Sequence, residues 1–233
     1  VALGIPTTAS DGSAIDLTSF NPYAADADPE AALAAEKAAQ QVMVTIKAVS
    51  AAAEGAGMEV DDAFELAMTS IAEVVSEEAA KIDVSSAESI AAAEAAIDAG
   101  TGSKVDFSDA TLLTEVSTSV KELVTQIAAD DASIEINEAA FSATLDTAVT
   151  AVGNVNAAID AITDTNLESS ESMGVFATLT DVASEIKAAA EAEVQEPGSG
   201  ATLVSFTDAT AFSAAADAAA AEILVADPAL AAA

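Results

Sequence analysis

Three oxygen-bearing side chains, Asp164, Asn166 and Glu168, have the spacing of the first ligands in a calcium-binding loop. Such a loop has Gly at its sixth position and Glu at its twelfth, and this sequence has Ser169 and Val175 there. The main interpretation of the segment is therefore a solvated acidic loop or a helix cap. A calcium site at Asp164, Asn166 and Glu168 is the alternative.

A second group of carboxylates near the N-terminus supports the same hypothesis. Asp11, Asp16, Asp26 and Asp28 lie in a segment that is rich in turn-forming residues. Carboxylate oxygens are the ligands that calcium prefers, and calcium is the one cofactor that this composition favours. These residues are candidates for an interdomain calcium site.

The composition argues against catalysis. The sequence contains no His, no Cys and no Arg, so the usual nucleophile and base pairs, metal-hydrolase triads and phosphate clamps cannot be assembled. Carboxylate pairs remain, but forty acidic residues make chance proximity inevitable. We predict that the protein is not an enzyme, and we assign no catalytic residue.

The net charge of −34 restricts the partners. A field of that sign repels the phosphates of nucleic acids and anionic lipid headgroups, and it attracts cations. Salt screens the repulsion within the chain, with a Debye length of about 10 Å at 0.1 M and about 3 Å at 1 M. The surface therefore suits a saline setting.

Apolar residues repeat at helical spacing along most of the chain. About half of all residues are hydrophobic (52%), and many of these are Ala, which favours helix and predicts a thin core between closely approaching helices. Five stripes predict amphipathic helices, with steps of three or four residues except for one step of seven from Val152 to Ile159. The stripes are Val42, Ile46, Val49 and Ala53; Val60, Phe64, Met68, Ile71, Val75, Ala79 and Ile82; Leu112, Val116, Val120, Leu123 and Ile127; Phe141, Leu145, Val149, Val152, Ile159 and Ile162; and Val175, Leu179, Val182, Ile186 and Ala189.

These stripes predict an all-α fold, an antiparallel bundle or array of about six to eight amphipathic helices joined by short extended lead-ins. Residues 1–30 are predicted as an extended lead-in, 31–132 as a first helical unit and 133–233 as a second. The two units can be degenerate repeats or parts of one continuous domain. Pro29 and Glu30 are expected to open the first helix.

A short pattern recurs at the predicted joints. It consists of a hydrophobic residue, a polar residue, a second hydrophobic residue and then Ser, Thr or Asn, which are suited to capping the next helix. The expected caps are Thr18, Ser85, Ser108, Asn137 and Thr207.

We expect no membrane span, because charged residues and Pro228 interrupt the apolar stretch 214–233 well before the roughly 20 residues that a span needs. The chain begins at Val1 and shows no secretory signal pattern. We therefore expect a processed product or a segment of a longer protein.

The first 55 residues resemble segments of very large bacterial surface proteins. The resemblance rests on Ala2 to Pro6, on Ile15 to Tyr23 and on the alanine-rich acidic helix that follows. It is to RTX-type and cadherin-like-repeat adhesins and surface-layer proteins of aquatic bacteria. It implies export, calcium-rich surroundings and a role in adhesion, matrix or surface-coat assembly. The glycine-aspartate nonapeptide repeats of that family are missing here, so its calcium ligands cannot be transferred.

The sequence thus predicts a structural module of a bacterial cell-surface or extracellular assembly. Its expected partners are other copies of the chain or other domains of a larger surface protein. Two alternatives stay open, a ligand-binding adhesin domain and an intracellular amphipathic coat protein similar to phasins. Exposed apolar stripes on the folded chain would favour assembly, and a recessed patch on a polar surface would favour ligand binding.

Overall fold

The structure is a computed structural model that describes residues 5–6, 8–16, 19–24, 26–80, 105–130, 135–163, 169–198, 203 and 209–226. The described residues form six helices and no strand, which confirms the all-α prediction. They are α1 (Pro29–Gly55), α2 (Val60–Ala80), α3 (Ala110–Asp130), α4 (Glu138–Ala161), α5 (Ser170–Gln195) and α6 (Ala209–Ala226).

Helix α1 begins where its sequence predicts. The carboxylate of Asp28 accepts a hydrogen bond from the main-chain nitrogen of Ala31, and Pro29 occupies the first turn, where its missing N–H is not needed. The chain turns away after Gly55, through Gly57, whose φ of 110° favours glycine.

Helices α1 to α4 form a ring, because α1 packs on α2, α2 on α3, α3 on α4, and α4 again on α1. Helix α5 lies against both α1 and α4, and α6 lies against α4 and α5. Helix α1 therefore contacts α4 and α5, which belong to the second of the two predicted units. The division into units and their duplication stay predictions.

Two hydrogen bonds show that α1 and α4 are antiparallel. At one end of the pair, Lys37 Nζ donates to the main-chain oxygen of Asp160 over 2.8 Å. At the other end, the main-chain nitrogen of Asn137 donates to the oxygen of Ala56 over 2.8 Å. The start of each helix thus meets the end of the other.

The core is built from small side chains with a few large ones between them. Phe107, Phe141 and Phe212 are among the largest fully buried side chains, and many alanines fill the space around them. Glycine allows a close contact between α5 and α6, since a Cβ on Gly174 would lie 2.5 Å from the main-chain oxygen of Ala216. Such contacts leave little free volume between the helices.

The predicted stripes of α1, α3, α4 and α5 face this core. All five stripe residues of α5 are buried, and those of the other three helices are buried or partly buried. The stripe of α2 is the exception, and it is described with the candidate site.

One predicted cap is confirmed and one is wrong. Asn137 caps α4, and its side-chain oxygen accepts from the main-chain nitrogen of Ala140. Ser108 does not cap α3, because its N–H and hydroxyl both bond to Asp106. Asp109 stands at the start of the helix instead and accepts from the nitrogen of Thr111. The predicted caps Thr18, Ser85 and Thr207 lie outside the described residues.

Candidate functional site

Three large apolar side chains on α2 are exposed to solvent. The exposed fraction is 59% for Val60, 49% for Phe64 and 43% for Met68. They are spaced by four residues and so lie in one row along the helix. We call Val60, Phe64 and Met68 the α2 row.

The first three residues of the predicted α2 stripe form this row, so that part of the stripe lies on the surface and not in the core. The buried face of α2 consists mainly of smaller residues: Ala63, Leu66, Ala67, Ser70, Ile71 and Val74. Of the predicted stripe, Ile71 is buried there and Val75 is partly buried. The side chain of Ala79 and the whole of Ile82 lie outside the part of the chain that the structure describes. Small residues permit a close approach to the neighbouring helices, and the bulkier row is therefore left at the edge of the contact.

An acidic groove lies on the flank of α2 that faces α3. Glu73 and Glu77 of α2 line it together with Glu115 and Glu122 of α3. At 100° per residue, this flank of α2 points away from the α2 row. The contact with α3 therefore leaves the row uncovered.

A second groove, of about 510 Å³, lies between α3 and α4. The ammonium group of Lys121 forms an ion pair with Asp146 across it, with an N to O distance of 2.5 Å. The hydroxyl of Ser117 donates to the same carboxylate oxygen over 3.2 Å. Leu113 and Gly153 also line the groove, which thus combines polar and apolar contacts.

Hydrogen bonds join the N-terminal lead-in to α1 and to its N-cap. The hydroxyl of Tyr23 donates to Glu36 over 2.6 Å, and the side chain of Glu36 is buried, with 7% of its surface exposed. This bond, burial and the carboxylate charge together raise the pKa of Tyr23 to about 12. Asp28 holds the lead-in as well, because it accepts from the nitrogen and the hydroxyl of Ser10.

Three of the N-terminal carboxylates that were candidates for calcium are engaged in turns or in a cap. Asp11 accepts from the nitrogen of Ser13, Asp16 accepts from the hydroxyl of Ser19, and Asp28 caps α1. Hydrogen bonds from Ser13 lower the pKa of Asp11, and those from Ser10 and Ala31 lower the pKa of Asp28. Asp11, Asp16, Asp26 and Asp28 line one depression of about 550 Å³.

Within the part of the chain that the structure describes, no three acidic side chains are grouped so that they could hold a metal ion. The calcium candidates Asp164, Asn166 and Glu168 lie outside the described residues. Calcium binding at that segment stays a prediction.

A buried polar contact that the sequence did not indicate joins α1, α4 and the segment before α3. Asn156 is fully buried, and its Nδ2 donates to the main-chain oxygen of Phe107 over 2.8 Å. Gln41 Nε2 donates to the main-chain oxygen of Asn156 over 3.2 Å. An Asn at a core position of an apolar stripe is the one signal that could have pointed to it.

No family model, curated protein or solved structure matches this chain. Among the helices that the structure describes, none combines the length and the apolar character that crossing a membrane requires.

Proposed function

We propose that this protein is a structural, non-catalytic helical module of a bacterial cell-surface or extracellular assembly. Its neighbours in the assembly, other copies or other domains of a larger surface protein, pack against the α2 row. The observation that carries the proposal is the exposure of Val60, Phe64 and Met68 on one line of one helix.

The α2 row is a favourable site for protein contact because it exposes apolar area that water solvates poorly. Burying such area contributes about 25 cal/mol per Å². Single exposed apolar residues are normal on a protein surface, whereas neighbours in a row form a continuous patch. Helix-in-groove and helix-on-helix contacts use apolar residues at this spacing.

The location outside the cell is supported by the resemblance of the N-terminal segment to bacterial surface proteins and by the acidic surface. With 40 acidic and six basic residues, the chain repels its own copies at low ionic strength. In about 1 M salt the Debye length falls to about 3 Å, so that apolar contacts between copies are no longer opposed over a long range.

Light scattering of the purified chain tests this proposal. We expect a monomer at about 0.1 M NaCl and a mass that grows with protein concentration at about 1 M NaCl. The double variant Phe64→Ser with Met68→Ser should stay monomeric, and the control Val225→Ser, at a residue that is 83% exposed on α6, should behave as the original chain. A mass that stays monomeric in high salt, with and without millimolar calcium, would contradict packing of copies through the row.

A second candidate function, recognition of a small polar ligand by an adhesin-type domain, is favoured by the groove between α3 and α4. Lys121, Asp146 and Ser117 offer a cation, a carboxylate and a hydroxyl beside apolar residues. Chemical-shift mapping with a panel of monosaccharides tests it. Shifts confined to the groove, and lost in Lys121→Ala, would favour ligand binding over assembly.

A further inference from the structure

The charges of α2 are all of one sign. The helix carries six acidic residues and neither Lys nor Arg; the acidic residues are Asp61, Asp62, Glu65, Glu73, Glu77 and Glu78. The chain as a whole has only six basic residues to balance 40 acidic ones. No basic side chain on α2 itself can neutralise the rim of the α2 row.

Two of these carboxylates lie directly beside the row. Residues three or four apart are neighbours on a helix surface, so Asp61 adjoins Phe64, and Glu65 adjoins Met68. Both carboxylates belong to exposed residues. The row is therefore an apolar strip with an anionic rim.

A second copy of the chain fits this rim poorly. Two α2 rows in face-to-face contact would bring Asp61 and Glu65 of each copy near carboxylates of the other copy, and like charges across an interface oppose binding. A helix with cationic side chains beside its own apolar face would instead pair with the rim. Charge complementarity thus favours a basic helix over a second copy of the chain as the partner of the α2 row.

We propose that the α2 row binds a basic amphipathic helix of a neighbouring protein segment, an inference that rests on the proposed function. The apolar side chains of that helix, at a spacing of three and four residues, cover Val60, Phe64 and Met68. Its Lys or Arg side chains on the flanks pair with Asp61 and Glu65. At moderate salt this partner excludes a second copy from the row.

Two synthetic peptides of about 18 residues, long enough to cover the row, test the proposal. Both contain the same Leu, Lys and Ala residues. One places Leu on a single helix face, and its isomer distributes Leu evenly around the helix. The affinity of each labelled peptide for the full chain is measured by fluorescence anisotropy at about 0.1 M and about 1 M NaCl.

We expect the amphipathic peptide to bind at least about tenfold more tightly than its isomer at low salt, and to weaken as salt is raised. Phe64→Ser with Met68→Ser should weaken binding by about tenfold or more, and Val225→Ser should leave it unchanged. Asp61→Asn with Glu65→Gln should also weaken it at low salt. The matched pair Asp217→Asn with Glu222→Gln removes two exposed charges from α6 and should have a much smaller effect.

Several results would overturn the proposal. Equal binding of both peptides, or binding that the row variant does not change, would show that general charge attraction is responsible. If association of copies in high salt depends on the row but the peptide does not bind there, the partner is wrong and the proposed function stands. If neither depends on the row, both fail. A large loss of thermal stability in the row variant would place the row in the core and would also overturn the proposal.

Discussion

Asn156 Nδ2 donates a hydrogen bond to the main-chain oxygen of Phe107 over 2.8 Å in the interior of the protein. The bond joins α4 to the segment that leads into α3, where Phe107 is one of the largest buried side chains. In Asn156→Ala the oxygen of Phe107 loses this donor in a place that water does not reach. We expect the free energy of unfolding to fall by about 1–3 kcal/mol in urea titrations. An unchanged midpoint would show that the bond is not formed in solution.

Thr144 offers the opposite case on the same helix. Its hydroxyl oxygen is buried and has no hydrogen-bond partner within the described part of the chain. Thr144→Val removes this group and nearly keeps the shape of the side chain, so stability should stay the same or rise by about 1 kcal/mol. A clear loss in the same urea titration would reveal a partner for the hydroxyl.

Two glycines in helix interiors should respond differently to alanine. In Gly174→Ala, the new methyl group would meet the main-chain oxygen of Ala216 at 2.5 Å, so α5 and α6 must separate; we expect a loss of about 1–3 kcal/mol. Gly153→Ala is the control, because its methyl group meets only the flexible end of Leu113 at 3.2 Å. That variant should gain up to about 1 kcal/mol from helix propensity. Equal losses at both positions would contradict the close contact of α5 with α6.

These contrasts show what the sequence could and could not predict. Periodicity was sufficient to predict α1 to α5 as helices and to predict the buried faces of α1, α3, α4 and α5, because each of these faces has one broad apolar stripe. On α2, small and large apolar residues occupy adjacent strips. The spacing alone does not say which strip is buried. In the structure, the strip with Ala63 and Ala67 is buried, because its small side chains allow the neighbouring helices to come close. The candidate site was missed for that reason.

Helix caps show a similar limit. The same four-residue pattern selected Asn137 and Ser108, and at α4 the fourth residue of the pattern directly precedes the helix. At α3, Asp109 stands one residue beyond Ser108, and both residue types can cap a helix. The hydrogen bonds of Ser108 to Asp106 decided between them.

Tyr23 gives a direct spectroscopic test of the lead-in, because it is the only Tyr and the chain has no Trp. Its absorbance titration should show a pKa of about 12 instead of the ordinary 10.0. In Glu36→Gln, which removes the charge, the pKa should move back toward the ordinary value. A midpoint near the ordinary value in the original chain would contradict the contact of Tyr23 with Glu36.

The raised pKa of Tyr23 also determines how the stability of the fold changes with pH. Because the pKa of Tyr23 is higher in the folded chain, its contribution to stability is complete below pH 10.0 and is lost as the pH rises toward about 12. Glu54 also raises the pKa of Lys187 above 10.5, so its ion pair is lost in alkali as well. The loss that is due to Tyr23 should be absent in Tyr23→Phe.

The acidic groove between α2 and α3 predicts an effect of salt on stability. Glu115→Gln with Glu122→Gln removes two of the carboxylates that line it, which should raise the melting temperature at about 0.1 M NaCl. At about 1 M NaCl the difference should disappear, because salt screens the repulsion in the original chain. A difference that persists in high salt would show that charge repulsion is not its cause.

Oxidation of the methionines by hydrogen peroxide, read by mass spectrometry, tests most directly whether the α2 row is an assembly face. Met68 in the row is 43% exposed, Met43 is 44% exposed and Met58 is 5% exposed, so the chain contains its own exposed and buried references. In the isolated chain, Met68 should oxidise about as fast as Met43 and faster than Met58. In the assembled or peptide-bound chain, its rate should fall toward that of Met58. Slow oxidation of Met68 in the isolated chain, or an unchanged rate in the assembly, would contradict the account.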